Sequence, residues 1–321
     1  MKISGRAVVF FFVLAAFLAV PQRPQAAPAE CDGACLIGMV DKYLAEVVAH
    51  DPSRVPFAAN EKFVENAVPM TPGEGLWKTA SVLPTTFKIY VPDPISEEVG
   101  FMGVMKENDK PVQLALRLKI RNGQIVEAEH VIARNLPDFV LPNLQTPRPG
   151  LRATVPVAER IPREQMLKIA YSYYTAIVES NGDAAPFADD CARRENGFQT
   201  TTYGSPPATP GLGTIGALGC RAQLNTHALS YITRIDARRV EIADPQTGLV
   251  FGLSQFRVPM TQNFVKIVGV PGLEKLDLKL LGNVEPFDEP AAHVFNVRDG
   301  KIHEIEAMGV KLPYGSKTGW E

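Results

Sequence analysis

The chain states one pattern twice along its length. Tyr43 to Asn66 reads YLAEVVAHDPSRVPFAANEKFVEN, and Tyr173 to Asn196 reads YYTAIVESNGDAAPFADDCARREN. The Pro-Phe-Ala triplets (Pro56, Phe57, Ala58 and Pro186, Phe187, Ala188) and the Glu-Asn pairs (Glu65, Asn66 and Glu195, Asn196) fall in one register. A second echo follows in each half: ALRLKIRNGQIVEAE from Ala115 to Glu129, against AHVFNVRDGKIHEIE from Ala292 to Glu306. Solenoid units recur every 20–50 residues or so, roughly. The spacing here is far longer, so the repeat is a duplicated domain. Each position then has a counterpart against which its chemistry can be judged.

Residues 1–29 read as a secretory signal. Lys2 and Arg6 precede an apolar run from Ala7 to Val20, and Ala27-Pro28-Ala29 supplies small residues for cleavage. An uncleaved anchor is the alternative. No later segment is apolar for long enough to cross a bilayer, so no membrane span is expected once the signal is removed. The net charge of −2 becomes more acidic when Lys2, Arg6 and Arg23 leave with the signal. No basic patch with interleaved aromatics is present, which argues against a nucleic-acid partner. The mature length suits two domains. In an oxidising compartment, periplasmic or extracellular, the four cysteines favour two disulfides. The simplest pairing is Cys31 with Cys35 and Cys191 with Cys220. Zinc is the alternative, but no histidine stands near either pair at finger-like spacing. No metal and no cofactor are expected.

Copy one, residues 30–135, opens with a helix over Leu36 to Ala49, whose apolar residues recur at helical spacing. Strands are predicted near 61–68, 86–91, 99–106, 112–120 and 124–133, with a short helical piece around Trp77. Asn122-Gly123 marks a tight hairpin. Residues 136–160, with Pro137, Pro142, Pro147, Pro149 and Pro156, read as a linker or strap. Copy two, residues 161–321, repeats the order. It has a helix over 163–179, a strand near 191–201, a helix over 220–231, and strands near 234–243, 248–257, 292–297 and 301–308. Insertions at 204–219 and 260–290 have no counterpart in copy one, and such loops often form lids or binding walls. Helices on one face of a curved antiparallel sheet make an α+β class.

The PFA-D-D-C element at Pro186 to Cys191 and the D-G-K-I hairpin at Asp299 to Ile302 resemble the nuclear-transport-factor-2-like (SnoaL-like) cone fold. The whole mature chain, including the closing PYGSKTGW, resembles a family of exported bacterial and fungal proteins of unknown function built as a tandem of such cones. That fold hosts dehydratases, ketosteroid-type isomerases, cyclases and plain binding modules. The resemblance therefore implies a fold and a small-molecule pocket rather than one activity.

The copies differ where chemistry would sit. Closing the last hairpin over Asp299-Gly300 pairs Val297 with Ile302, Phe295 with Glu304 and His293 with Glu306, all on one face. Copy one carries Leu116 where copy two has His293. Opposed Cβ atoms lie roughly 5 Å apart, within reach of a His293–Glu306 hydrogen bond. On the first strand, Phe63 and Val64 become Arg193 and Arg194, and alternation with Cys191 and Glu195 selects Arg193 as the inward one. An inward arginine needs a carboxylate or an anionic ligand. Copy one thus reads as scaffold and copy two as pocket.

The leading expectation is a cofactor-independent lyase or isomerase acting on a small organic substrate, an anionic one among the options. His293 would be the acid or base oriented by Glu306, with Arg193 holding an oxyanion and Asp190 in support. His227, Tyr203, Glu195 and Tyr231 are candidate ligand-binding residues. Each has a plainer reading as a packed, capping or ion-paired residue. A non-catalytic small-ligand module is the second reading. In the third, the insertions and the tail from Pro313 to Glu321 dock a partner, and assembly into a homo-oligomer is an open option.

Overall fold

In a computed structural model of the chain, the structure describes residue 1 and residues 31–202, 211–282 and 285–321. The proposed signal segment and Tyr203 lie outside the described residues. The first half runs α1 (Gly33–Ala49), β1 (Phe57–Glu65), β2 (Val68–Met70), α2 (Leu76–Thr79), β3 (Ala80–Val82), β4 (Lys88–Asp93), β5 (Glu98–Glu107), β6 (Lys110–Arg121) and β7 (Gln124–Ala133). The second half runs α3 (Arg163–Val178), β8 (Phe187–Glu195), β9 (Phe198–Thr201), α4 (Leu212–Gly216), α5 (Cys220–Asn225), β10 (Arg234–Asp244), β11 (Leu249–Val258), β12 (Phe264–Lys266), β13 (Lys275–Asp277), β14 (Phe287–Arg298), β15 (Lys301–Gly309) and β16 (Leu312–Pro313).

The two sheets share one topology. The order β2-β1-β7-β6-β5 in the first half matches β9-β8-β15-β14-β11 in the second, and β4 and β10 each flank the last strand named. Among the described residues no strand of one half completes the sheet of the other. The sheets are not wholly antiparallel, because β1 runs parallel to β7 and β8 parallel to β15. A strand that returns through the helix and turn preceding the sheet meets the last hairpin in that sense.

Helix α1 lays Leu36, Val40, Tyr43, Leu44 and Val47 on the inner face of the first sheet, and α3 lays Met166, Ala170, Tyr173, Tyr174 and Ile177 on the second. Each half therefore has its own apolar core. A third core joins the outer faces of the sheets back to back, with Ile89, Met102 and Val131 against Phe251, Leu253 and Val294. Gly100 permits this approach, since a Cβ there would collide with the Phe251 ring. Arg239 forks onto Glu129 at 2.6 and 2.7 Å, and Asp93 accepts from Arg163 and from the Ala243 amide across the same seam. The segment 136–160 crosses the outer face of the second sheet in short 3-10 turns, with Leu144 and Leu151 sunk into the shared core.

Two expectations about elements need correction. The helix at 220–231 stops at Asn225, and His227 follows in a left-handed turn at φ 62°. The strand at 191–201 is two strands, β8 and β9, folded back on each other at Asn196-Gly197.

Candidate functional site

The last hairpin carries the decisive departure from simple alternation. Val297 pairs with Ile302 as expected, but Asn296 then pairs with Glu304, Phe295 with Ile305, Val294 with Glu306 and His293 with Ala307. His303 is the extra residue of a β-bulge. One extra residue moves everything beyond it to the other face of the sheet. Copy one has the same bulge at Val126, between the Ile120–Ile125 and Lys119–Glu127 pairs. His293 and Glu306 therefore do not meet. His293 faces the inner cavity, while Glu306 lies on the outer face with Arg148 at 3.2 Å.

The inner face of the second half is hollow. A cavity of about 920 Å³ is bounded by α3, the sheet, α5 and the 260–290 insertion. Its origin is visible position by position. Copy one packs Leu114, His130 and Ile132 where copy two has Ala291, Ala307 and Gly309. Those three reductions in side-chain size leave the floor of the sheet open. The insertion walls the cavity with Leu276 and Leu280 and has its own small apolar cluster.

His293 is 3% exposed and boxed by aromatic rings, with Phe256 and Phe295 stacked at 5.8 and 5.6 Å and Tyr173 and Tyr174 at 5.4 and 5.3 Å. Its Nδ1 lies 3.2 Å from the Tyr174 hydroxyl. Burial, reinforced by the Arg193 charge, pushes the ring down to about 3, so the imidazole is neutral near pH 7. Arg193 is 2% exposed. It donates to Gln223 Oε1 at 2.6 Å and Thr200 Oγ1 at 3.0 Å, and pairs with Glu195 at 2.8 Å. Burial works against its charge, but the Tyr173 hydroxyl and the Glu195 carboxylate outweigh it and hold the guanidinium above its ordinary value. The Cys191–Cys220 disulfide ties β8 to α5 and so sets Gln223 against Arg193. The second disulfide is Cys31–Cys35, and no cysteine is free.

The sequence comparison missed Glu289. It stands on the inner face of β14 where copy one has Val112, and it lines the cavity. Its carboxylate rests over Gly309, where an added Cβ would lie 2.5 Å from Oε1. Burial, then the Glu195 charge, pushes it up to about 7 against the pull of Lys311. Carrying the copy-to-copy comparison four residues upstream of His293 would have found it.

The remaining candidates divide between two faces. Tyr231 and Glu195 line the cavity beside Arg193. Glu195 does not share the role of Glu65, which is buried and accepts from the Leu76 amide and from Arg134. Asp190 is exposed on the outer face, bonded to His303 at 2.8 Å, and takes no part in the cavity. His227 is exposed and does not line it either. Copy one holds a histidine of its own: Tyr43 bonds His130 at 2.9 Å, and His130 faces Glu65 at 3.5 Å, in a closed core packed by Phe63 and Trp77. Among the described residues no group of acidic, histidine or cysteine side chains is arranged to hold a metal, and no helix is long and apolar enough to cross a membrane.

Fold and site together define an α+β tandem of cone-shaped halves, the first filled and the second hollow. Residues 159–309, from just before α3 through β15, match the family described as a domain of unknown function (DUF8021). No curated protein matches the chain by sequence. Among solved structures it is similar to a proposed polyketide cyclase of Xanthomonas campestris pv. campestris, at 17% identity over 46% of this chain and 90% of that one, with a TM-score of 0.29. IdmH, a proposed polyketide cyclase of Streptomyces antibioticus, is 17% identical over 45% and 91%, with a TM-score of 0.26. A proposed SnoaL-like polyketide cyclase of Jannaschia sp. CCS1 is 10% identical over 48% and 89%, also with a TM-score of 0.26.

Proposed function

We propose that the chain is an exported, cofactor-independent enzyme of the lyase or isomerase type, moving a proton on a small organic substrate held in the second-half cavity. The observation that carries this reading is a coincidence. The half that loses bulk from its core also gains Glu289, His293 and Arg193 on the same wall, where copy one has Val112, Leu116 and Phe63. Ionisable groups cost several kcal/mol to bury in a packed core, roughly, so their arrival with the cavity points to use rather than packing.

Glu289, poised near neutrality, takes a proton from one carbon and returns it to another or to a leaving hydroxyl. His293 stays neutral. When Tyr174 donates to Nδ1, the proton sits on Nε2, which donates to a carbonyl or enolate oxygen. Arg193 adds a fixed positive charge, already balanced by Glu195, so the substrate suited to the cavity is uncharged. Glu289 and His293 are four residues apart on one strand, about 13 Å between Cα atoms. A substrate that touches both spans most of the cavity. The two disulfides support export.

The test is deuterium exchange at carbons next to a carbonyl, followed by NMR over a panel of cyclic ketones and β-hydroxy ketones. Catalysed exchange should rise through a midpoint near pH 7 and fall by about 100-fold or more in Glu289→Gln. His293→Leu should fold normally and lose most of the rate. Saturable binding without exchange would favour a non-catalytic ligand-binding module, the reading to which the mainly apolar lining also lends itself. Neither binding nor exchange would contradict both.

A further inference from the structure

Arg194, Asp190 and Glu306 gather on the opposite face of the second sheet from the inner cavity, together with His303, and the proposed chemistry uses none of them. There Arg194, Asp190 and His303 border a second cavity of about 520 Å³, roofed by Arg148 and Gly150 of the strap, while Glu306 is buried against Arg148 and does not line it. Its walls come from β8 (Asp190, Ala192, Arg194), β14 (Asn296, Arg298) and β15 (His303, Glu304).

The charges in this cavity are unevenly matched. Each carboxylate has a donor. Asp190 faces His303 at 2.8 Å, Glu304 accepts from Asn296 at 3.3 Å, and Glu306 accepts from Arg148 at 3.2 Å. Two guanidiniums have only neutral acceptors. Arg194 donates through Nε to Gln199 Oε1 and through Nη1 to the Asn143 carbonyl. Arg298 donates through Nε to Asn296 Oδ1 and through Nη2 to the Gly150 carbonyl. Arg194 Nη2 and Arg298 Nη1 have no partner among the described residues, although both side chains line the cavity. Burial, with the nearby Arg148 charge, holds Arg194 below its ordinary value against the opposing pull of Glu306 and Glu304. Ala192, two residues before Arg194 on β8, contributes a small side chain to the lining.

We infer that this cavity is a second binding site, for a tetrahedral oxyanion: phosphate or sulfate, free or as the head of an ester. A planar carboxylate is met best by one arginine presenting two parallel donors. Two arginines on different strands, each offering a single free Nη, instead suit oxygens that point in several directions. The site shares only Gln199 and Thr202 of its lining with the inner cavity, and it does not rest on the reaction proposed there.

Calorimetric titration of the full chain with inorganic phosphate, inorganic sulfate and phenyl phosphate, in a low-chloride buffer, tests this directly. At least one should bind saturably, one per chain, with a millimolar or tighter dissociation constant that weakens as salt rises. Tighter binding of phenyl phosphate than of phosphate identifies an ester head group as the occupant. Arg194→Gln and Arg298→Gln should each weaken binding about tenfold, the worth of one hydrogen bond to a charged group. Ala192→Glu, which adds negative charge to the lining without touching either arginine, should abolish it. Absence of saturable binding by all three probes would overturn the proposal. So would binding that survives Ala192→Glu or the Arg194→Gln/Arg298→Gln double variant undiminished.

Discussion

Glu289 and His293 sit on one face of one strand, and the same burial displaces them in opposite senses. His293 falls from an ordinary 6.5 to about 3, because the folded chain refuses its proton. Its contribution to stability is present above pH 6.5 and is lost as pH falls toward 3. Glu289 rises from 4.5 to about 7, because the folded chain holds the neutral acid more firmly than the unfolded chain does. That contribution is present below pH 4.5 and is lost as pH rises through 7. Glu289→Gln, which mimics the protonated acid at every pH, should therefore match the parent near pH 4.5. It should be more stable by on the order of 1–2 kcal/mol at pH 8, a figure discounted for the water that reaches a half-buried carboxyl. Urea denaturation at the two pH values measures this. A variant equally displaced at both would mean that Glu289 titrates normally.

At the scale of elements, the bulge at His303 decides which residues share a face, and nothing in residue type announces it. Strict alternation put Glu306 beside His293, and the extra residue put it on the other side of the sheet. Choosing Arg193 over Arg194 as the inward residue needed only alternation over the short run from Cys191 to Glu195, and Arg193 is buried on the cavity side. The hairpin turns at Asn122-Gly123 and Asp299-Gly300 and the helix α3 were legible for the same reason: each depends on local spacing. That copy two holds a pocket was read from its inward charges, but not what opens it: Ala291, Ala307 and Gly309, small residues whose meaning appears only against Leu114, His130 and Ile132. The Cys191–Cys220 bond is an element-scale device, closing the stretch that contains β9 and α4. Replacing both cysteines by alanine should cost about 2–4 kcal/mol. It should also loosen the hold of Gln223 on Arg193, seen as faster amide exchange across α5. Unchanged stability and exchange would show that packing alone seats α5.

At the scale of the whole molecule, the two halves share a topology but differ in their interiors. Their outer faces fuse through a common apolar core and the Arg239–Glu129 fork, which leaves the two inner faces independent. The first inner face is closed around Tyr43, Phe63, Trp77 and His130. The second stays open. The tail packs back onto both halves of the chain. Ser316 accepts from Gln255 and Arg257 of the second sheet, while Trp320 lies over Arg117 and Lys62 of the first and Arg239 of the second, clasping the halves together.

Soaking crystals of the protein in 2-naphthol tests this division most directly. The rings should occupy the second-half cavity among Phe256, Tyr173 and Tyr231, with the hydroxyl toward His293, and the first half should stay closed. A second-half cavity filled by side chains of the 260–290 insertion, or naphthol bound inside the first half, would contradict the account.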